Sequence, residues 1–106
     1  MTDVDALNRF LALNVMGWTI HKDVYLTECG YERRDDWNPH GSLADCEPLL
    51  NQIERDKWKW RWCVYDGYRF VMWQNTVPEK KYLVDGDTRT AALCECVAKA
   101  YGFKNE

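Results

Sequence analysis

The sequence predicts a single α+β domain whose small, mostly antiparallel sheet has helices on its faces. Its 106 residues are enough for one hydrophobic core and too few for two. Apolar and aromatic residues make up 46% of the chain, and their spacing alternates between helical and extended patterns. The resulting order is helix, strand, helix, hairpin, strand, helix, which is typical of the α+β class.

The N-terminal part is predicted to contain a helix followed by short strands. Apolar residues at helical spacing indicate a helix from about Asp3 to Asn14. Residues 18–20 and 24–26 are then rich in β-branched and aromatic side chains, which favours a short strand or an extended pair.

An irregular connection and a second helix are predicted next. Residues 29–41 contain two Gly, a Pro and a cluster of charged side chains, so we expect a long loop. A helical stripe of apolar residues then predicts a helix from about Leu43 to Arg55. Pro48 lies inside this pattern, so the helix either begins nearer Asp45 or bends at the proline.

The clearest local signal is a hairpin between Lys57 and Gln74. Two aromatic runs flank Asp66 and Gly67, a pair suited to the positive φ angles of a two-residue type I′ turn. In that register Trp60 lies opposite Trp73, and both faces of the hairpin are largely apolar. We therefore expect both faces to be covered, by helices or by a second copy of the chain. The aromatic surface exceeds what three helices can cover, which predicts a symmetric homodimer.

A short strand at residues 82–84 and a last helix complete the predicted fold. Asp87 or Thr88 caps this helix, and Gly102 supplies its stop signal. Its many Ala and Cys residues leave little polar surface, which indicates close packing on the sheet.

Three groups of short motifs occur in order along nearly the whole chain. They are Leu7-Asn8-Arg9 with Val15-Met16-Gly17-Trp18, Trp37-Asn38-Pro39 with Ser42, and residues 87–94 with Gly102. Together they resemble the phage ABA sandwich domain family, which consists of small proteins of phages and prophages. The resemblance implies an α/β/α-type sandwich, with the small sheet between helices, and it transfers no catalytic residue.

Charge and targeting signals limit the classes of partner. Lys and Arg total 14 against 17 Asp and Glu, and the net charge of −3 argues against general binding to nucleic acid or to an anionic membrane. The N-terminal residues lack a signal-peptide pattern, and no apolar run approaches the roughly 20 residues of a membrane span. We therefore expect the protein in the host cell cytoplasm, with its five cysteines reduced.

The sequence contains no recognisable catalytic, metal or cofactor motif. Nothing places a nucleophile beside a base, and there is no Gly-rich phosphate loop. Zinc sites usually use close cysteine pairs, but Cys94 and Cys96 lie two residues apart on a predicted helix and point about 200° away from each other. The prediction is a protein that acts without catalysis, metal or cofactor.

One candidate ligand-binding segment is the long loop at residues 29–41. Its candidate residues are Arg33, Arg34, Trp37 and Asn38, because long loops often carry binding residues. Neighbouring acidic residues offset the arginines, so a solvated charge cluster is the simpler interpretation.

The other candidate is the first hairpin strand, where Lys59 and Arg61 alternate with tryptophans. Aromatic rings and cations together bind nucleotides by stacking and charge. Strand alternation, however, places these cations and the tryptophans of the same strand on opposite faces, which favours core packing of the tryptophans.

The leading hypothesis is a phage or prophage accessory protein that captures a small, nucleotide-like anionic ligand, for example in counter-defence. The alternative is a protein–protein interaction module that occludes a host or phage protein through its aromatic surface. Neither hypothesis has a nucleic acid or a membrane as partner.

Overall fold

A computed structural model describes residues 4–22, 24–27, 30–33, 36–64, 67–76 and 78–103, without the side chains of residues 32 and 33. The elements are α1 (Val4–Phe10), β1 (Thr19–His21), β2 (Val24–Thr27), β3 (Gly30–Arg33), α2 (Leu43–Arg55), β4 (Lys59–Val64), β5 (Tyr68–Gln74), β6 (Lys80–Gly86) and α3 (Arg89–Ala100). A π-helical turn at Leu11–Val15 continues α1. The predicted α+β class and the antiparallel strand pairing are confirmed.

The described strands form two separate three-stranded sheets. The N-terminal sheet has the order β1-β2-β3, and the C-terminal sheet has the order β4-β5-β6. β3 lies in the segment predicted to be an irregular loop, and that prediction is wrong for residues 30–33. Tyr31 pairs with Leu26, and the charged residues that suggested a loop are tolerated because β3 is an edge strand.

The first helix is shorter than predicted and changes its winding. After Phe10, the chain widens into the π-helical turn, in which the backbone N–H of Met16 donates to the carbonyl of Leu11 at 3.0 Å. The buried residues Leu7, Leu11 and Val15 are four apart, and the wider turn keeps residues at this spacing on one face.

The second helix has the predicted bounds. Its first turn is capped by Ser42, whose Oγ accepts a hydrogen bond from the backbone N–H of Asp45 at 3.4 Å. The helix begins at Leu43 and continues through Pro48, so it does not start nearer Asp45.

The hairpin differs from the prediction by one residue. Val64 pairs with Tyr68 and Trp62 pairs with Phe70, so the connection has three residues, 65–67, of which 65 and 66 lie outside the described part. The predicted two-residue turn requires a positive φ at Gly67, and Gly67 is not among the residues with positive φ. Because side chains alternate along a strand, this shift changes which residues of β4 and β5 share a face.

The third helix lies at the centre of the domain. It packs on β5 and β6 on one side and contacts α1, α2 and the π-helical turn. Small residues permit α3 to lie close to the end of β6, since a Cβ on Gly86 would be 2.8 Å from the backbone nitrogen of Ala92. Thr88 caps the helix by accepting from the N–H of Ala91 at 3.1 Å, and Gly102 follows its end with φ +100. The predicted cap, stop and close packing are confirmed.

The C-terminal sheet has two different faces. The inner face packs on the core and consists of Trp60, Trp62, Tyr68, Phe70, Met72, Tyr82 and Val84. The outer face points away from α3 and consists of Lys59, Arg61, Cys63, Arg69, Val71, Trp73, Lys81, Leu83 and Asp85. Among the described residues, helices cover only the inner face, so the helix layer expected on the outer face is not found there.

Candidate functional site

The outer face is arranged in three rows that run across the strands. The rows are Lys59–Trp73–Lys81, Arg61–Val71–Leu83 and Cys63–Arg69–Asp85. Neighbouring strands are about 4.8 Å apart, so the backbones of Lys59 and Lys81 lie about 10 Å apart on either side of Trp73. In the predicted register Trp73 shared a face with Trp60 instead. The corrected register places an aromatic ring among the cations.

Charges on this face fall into a paired set and an unpaired set. Arg69 donates from Nε to Oδ1 of Asp85 at 2.6 Å and from a terminal nitrogen to Oδ2 at 3.1 Å. In the described part of the chain, no carboxylate lies within ion-pair distance of Lys59, Arg61 or Lys81. An acidic protein thus carries three cations around Trp73 that have no ion-pair partner in the described part of the chain.

A hollow of about 180 Å³ opens on the same face. It is lined by Arg61, Val71, Trp73, Glu79 and Lys81. Val71 is only 3% exposed although no described helix covers it, and its cross-strand neighbours are Arg61 and Leu83. The volume is below the roughly 300 Å³ of pockets that enclose a drug-sized ligand. The hollow therefore suits one ring or head group, with the rest of a ligand lying over the sheet.

A second and larger hollow, of about 420 Å³, lies at the start of α3. Its ionisable lining residues are Asp85, Asp87, Glu95 and His40. Three carboxylates give this hollow the wrong charge for an anion, so its greater volume does not make it the better candidate. No group of three or more His, Cys, Asp or Glu in the described segments is placed to hold a metal ion.

Trp37, one of the predicted ligand-binding residues, lies in the core. It is 4% exposed, and its ring meets those of Trp18 at 4.9 Å and Tyr25 at 6.1 Å between centroids. Its indole N–H is buried, and none of the described residues accepts a hydrogen bond from it. These contacts favour a packing role for Trp37 over a role in binding.

Asn38, another predicted binding residue, organises the start of α2. Its Oδ1 accepts from Nδ2 of Asn8 at 2.8 Å and from the backbone N–H of Gly41 at 3.2 Å. Its own backbone N–H donates to Oδ2 of Asp45 at 2.8 Å. The polar groups of Asn38 are thus used in hydrogen bonds that stabilise the fold.

Arg33 and Arg34 are the remaining predicted residues of this segment. The side chain of Arg33 and all of Arg34 are outside the described part of the chain, so the structure does not show whether their side chains belong to a site.

The structure brings Lys59 and Arg61 together with three residues that were not predicted for the site: Trp73, Glu79 and Lys81. Their signal was present in the alternation of β5 and β6. Matching the apolar positions of β4 with those of β5 selects the three-residue connection, and it leaves Lys59, Arg61 and Trp73 on one side.

Buried cysteines offer little reactivity. Burial raises the pKa of Cys96 to about 12, and burial together with a hydrogen bond to Cys46 raises the pKa of Cys94 well above its usual value. The thiolate is the form that attacks electrophiles and binds metals, so these two thiols are poor candidates for either role. Cys63, on the outer face, is a half-buried free thiol.

No protein-family model, characterised protein or solved structure matches this chain. The resemblance to the phage ABA sandwich family therefore stays a prediction from short motifs. None of the helices in the described ranges has both the length and the apolar character needed to cross a lipid bilayer.

Proposed function

We propose that this protein binds a small anionic ligand with an aromatic ring, such as a nucleotide, on the outer face of the C-terminal sheet, and that it acts without catalysis. The observation that supports the proposal is the row Lys59–Trp73–Lys81, in which a half-buried indole ring lies between two cations that have no ion-pair partner among the described residues. A planar base stacks on such a ring, while a neighbouring cation attracts the phosphate.

Arg61 adds a directional contact for the phosphate. Its guanidinium presents a planar fork of donors that fits two oxygens of a phosphate group at once. Lys59 and Arg61 are two residues apart on β4, about 7 Å along the strand, and both belong to the outer face. Their long side chains can converge on one phosphate while the ring occupies the hollow beside Trp73.

A mononucleotide fits this face better than a nucleic-acid strand does. Proteins that bind single strands use several aromatic rings, on which successive bases stack. In the described rows of the outer face, Trp73 supplies the aromatic ring and the other positions are charged, aliphatic or sulfur-containing. The net charge of −3 also opposes a long polyanion.

The biological setting that we propose is the host cytoplasm. There a phage or prophage accessory protein would bind a nucleotide-like molecule and keep it from the proteins that otherwise use it. The motif resemblance supports this origin.

Calorimetric titration with nucleoside monophosphates tests the proposal. We expect saturable binding to the unaltered protein, and a loss of about ten- to a hundredfold in affinity for Trp73→Ala, because stacking on one aromatic ring contributes about 1–3 kcal/mol. Guanosine and ribose 5-phosphate, which carry only the ring or only the phosphate, should each bind more weakly than the nucleotide.

Lys99→Ala is the matched control for the double variant with Lys59→Ala and Arg61→Ala. Lys99 is exposed on α3, which packs on the inner face, so its loss changes the net charge but not the outer face. We expect the double variant to weaken binding and to flatten its dependence on salt. Nucleotide binding that is undetectable in the unaltered protein, or unchanged in Trp73→Ala, would rule out the proposal.

The second candidate function is protein binding by the same face, because Leu83 is 44% exposed beside Val71 in the second row. A homodimer through this face is disfavoured by charge, since a two-fold pairing brings the three unpaired cations of each copy close to those of the other. Light scattering after gel filtration shows whether the protein is a homodimer or a monomer. A dimer that dissociates on Leu83→Lys supports the homodimer, and a monomer at micromolar concentration contradicts it.

A further inference from the structure

Glu79 is a carboxylate at the edge of a face on which the other acidic residue, Asp85, is paired with Arg69. It lies directly before β6 and lines the hollow together with Trp73 and Lys81. The side chain is exposed, and in the described residues it has no ion-pair or hydrogen-bond partner. A negative charge here repels a phosphate, so it weakens anion binding unless it contacts another part of the ligand.

We infer that Glu79 recognises the base, and that the ligand is a guanine nucleotide; this inference rests on the proposed function. The two oxygens of a carboxylate accept hydrogen bonds and donate none. Guanine presents two adjacent donors, the ring N1–H and the exocyclic amino group, to a single carboxylate. Such charge-assisted pairs are roughly twice as strong as neutral ones.

Lys81 fits the next group on the base. Beyond its two donors, guanine carries the acceptor O6, and Lys and Arg are common partners of O6 in proteins. Lys81 lines the hollow together with Glu79, whereas Arg61 lies two strands away on β4, where it is left for the phosphate. A ring stacked on Trp73 therefore has both a carboxylate and a cation in the same hollow. Adenine places an acceptor nitrogen where guanine has its N1–H, and this nitrogen repels a carboxylate.

The ratio of the affinity for guanosine monophosphate to the affinity for adenosine monophosphate tests the inference. We expect the unaltered protein to prefer the guanine nucleotide by at least about tenfold, with inosine monophosphate, which lacks the exocyclic amino group, in between. Glu79→Gln should bring the ratio close to one. The ratio is the quantity to measure, because removing a negative charge raises the affinity for every phosphate ligand.

Glu47→Gln is the control, since Glu47 is exposed on α2 and away from the outer face. It should leave the ratio unchanged. Equal binding of the two nucleotides to the unaltered protein, or a guanine preference that survives Glu79→Gln, overturns the inference and leaves the proposed function intact. If neither nucleotide binds, both fail.

Discussion

The inner and outer faces of the C-terminal sheet are built from the same three strands, yet they differ in composition and in surroundings. On the inner face, Phe70 and Met72 are fully buried, and the rings of Trp60 and Trp62 lie 5.8 and 4.9 Å from that of Phe70. On the outer face, Trp73 lies among cations, and no helix of the described part packs above it. Strand register therefore decides which tryptophan belongs to the core and which is available to a ligand.

The largest expected effect comes from the inner face. Phe70→Ala should lower the free energy of unfolding by about 3–5 kcal/mol, because it opens a cavity at the centre of an aromatic cluster. Leu83→Ala, on the outer face of the neighbouring strand, should cost less than about 1 kcal/mol. Urea denaturation measures both. Equal losses for the two variants would show that the two faces do not differ in packing.

Glycine substitutions test the contact between the sheet and α3 as well as the hairpin connection. Gly86→Ala should cost about 1–3 kcal/mol, because its methyl group would lie 2.8 Å from the backbone nitrogen of Ala92. Gly67→Ala should be nearly neutral, since its nearest neighbour would be at 3.5 Å and its φ is not positive. A clear destabilisation by Gly67→Ala would contradict the φ angle that Gly67 has in this structure.

Stability at alkaline pH tests the burial of the Cys96 thiol, which lies behind the inner face. Cys96 has its pKa raised from 9.0 to about 12 by burial, so only the unfolded chain ionises this thiol between these values. Its contribution to stability is complete below pH 9 and is lost as pH rises toward 12, by about 1.4 kcal/mol per pH unit at most.

Cys96→Ala should therefore flatten the decline of unfolding free energy between pH 9 and 10.5. The control, Leu83→Ala, removes no ionisable group and should leave that decline in place. A slope that is the same in the unaltered protein and in Cys96→Ala would contradict the burial of this thiol.

The smallest expected effect compares paired and unpaired cations within the outer face. Arg69→Ala breaks the two hydrogen bonds to Asp85 and should cost up to about 1 kcal/mol, less at high salt. Arg61→Ala removes an unpaired cation and should change stability by less than about 0.5 kcal/mol. Thermal unfolding at low and high salt measures the difference. A larger loss for Arg61→Ala would mean that Arg61 stabilises the fold.

Much of the fold was predictable from local signals. The bounds of α2 follow from the cap at Ser42 and the apolar stripe behind it, and the end of α3 follows from Gly102. The course of β3 was not predictable in this way, because its charged residues suit a loop as well as an edge strand. Pairing with β2 decides between them, and that pairing is a tertiary contact.

Only part of the candidate site could be predicted from the sequence. Lys59 and Arg61 were identified from their alternation with tryptophans, whereas Trp73, Glu79 and Lys81 join them only in the correct register. The two possible connections differ by one residue, and Asp66-Gly67 is compatible with either. A shift of one residue transfers a whole set of side chains to the other face, so a small local ambiguity becomes a large error in the site.

The most direct measurement is the ¹⁵N spectrum of the indole N–H groups during titration with guanosine monophosphate. The six tryptophans give six indole signals, each assignable by a Trp→Phe substitution. We expect the Trp73 signal to shift most, together with the backbone amides of residues 59–61, 71–73 and 79–83. The signals of Trp37 and Trp18, in the core cluster near the N-terminal sheet, should stay in place. Shifts centred on those two tryptophans, or no shift at Trp73 at saturation, would contradict a ligand site on the outer face.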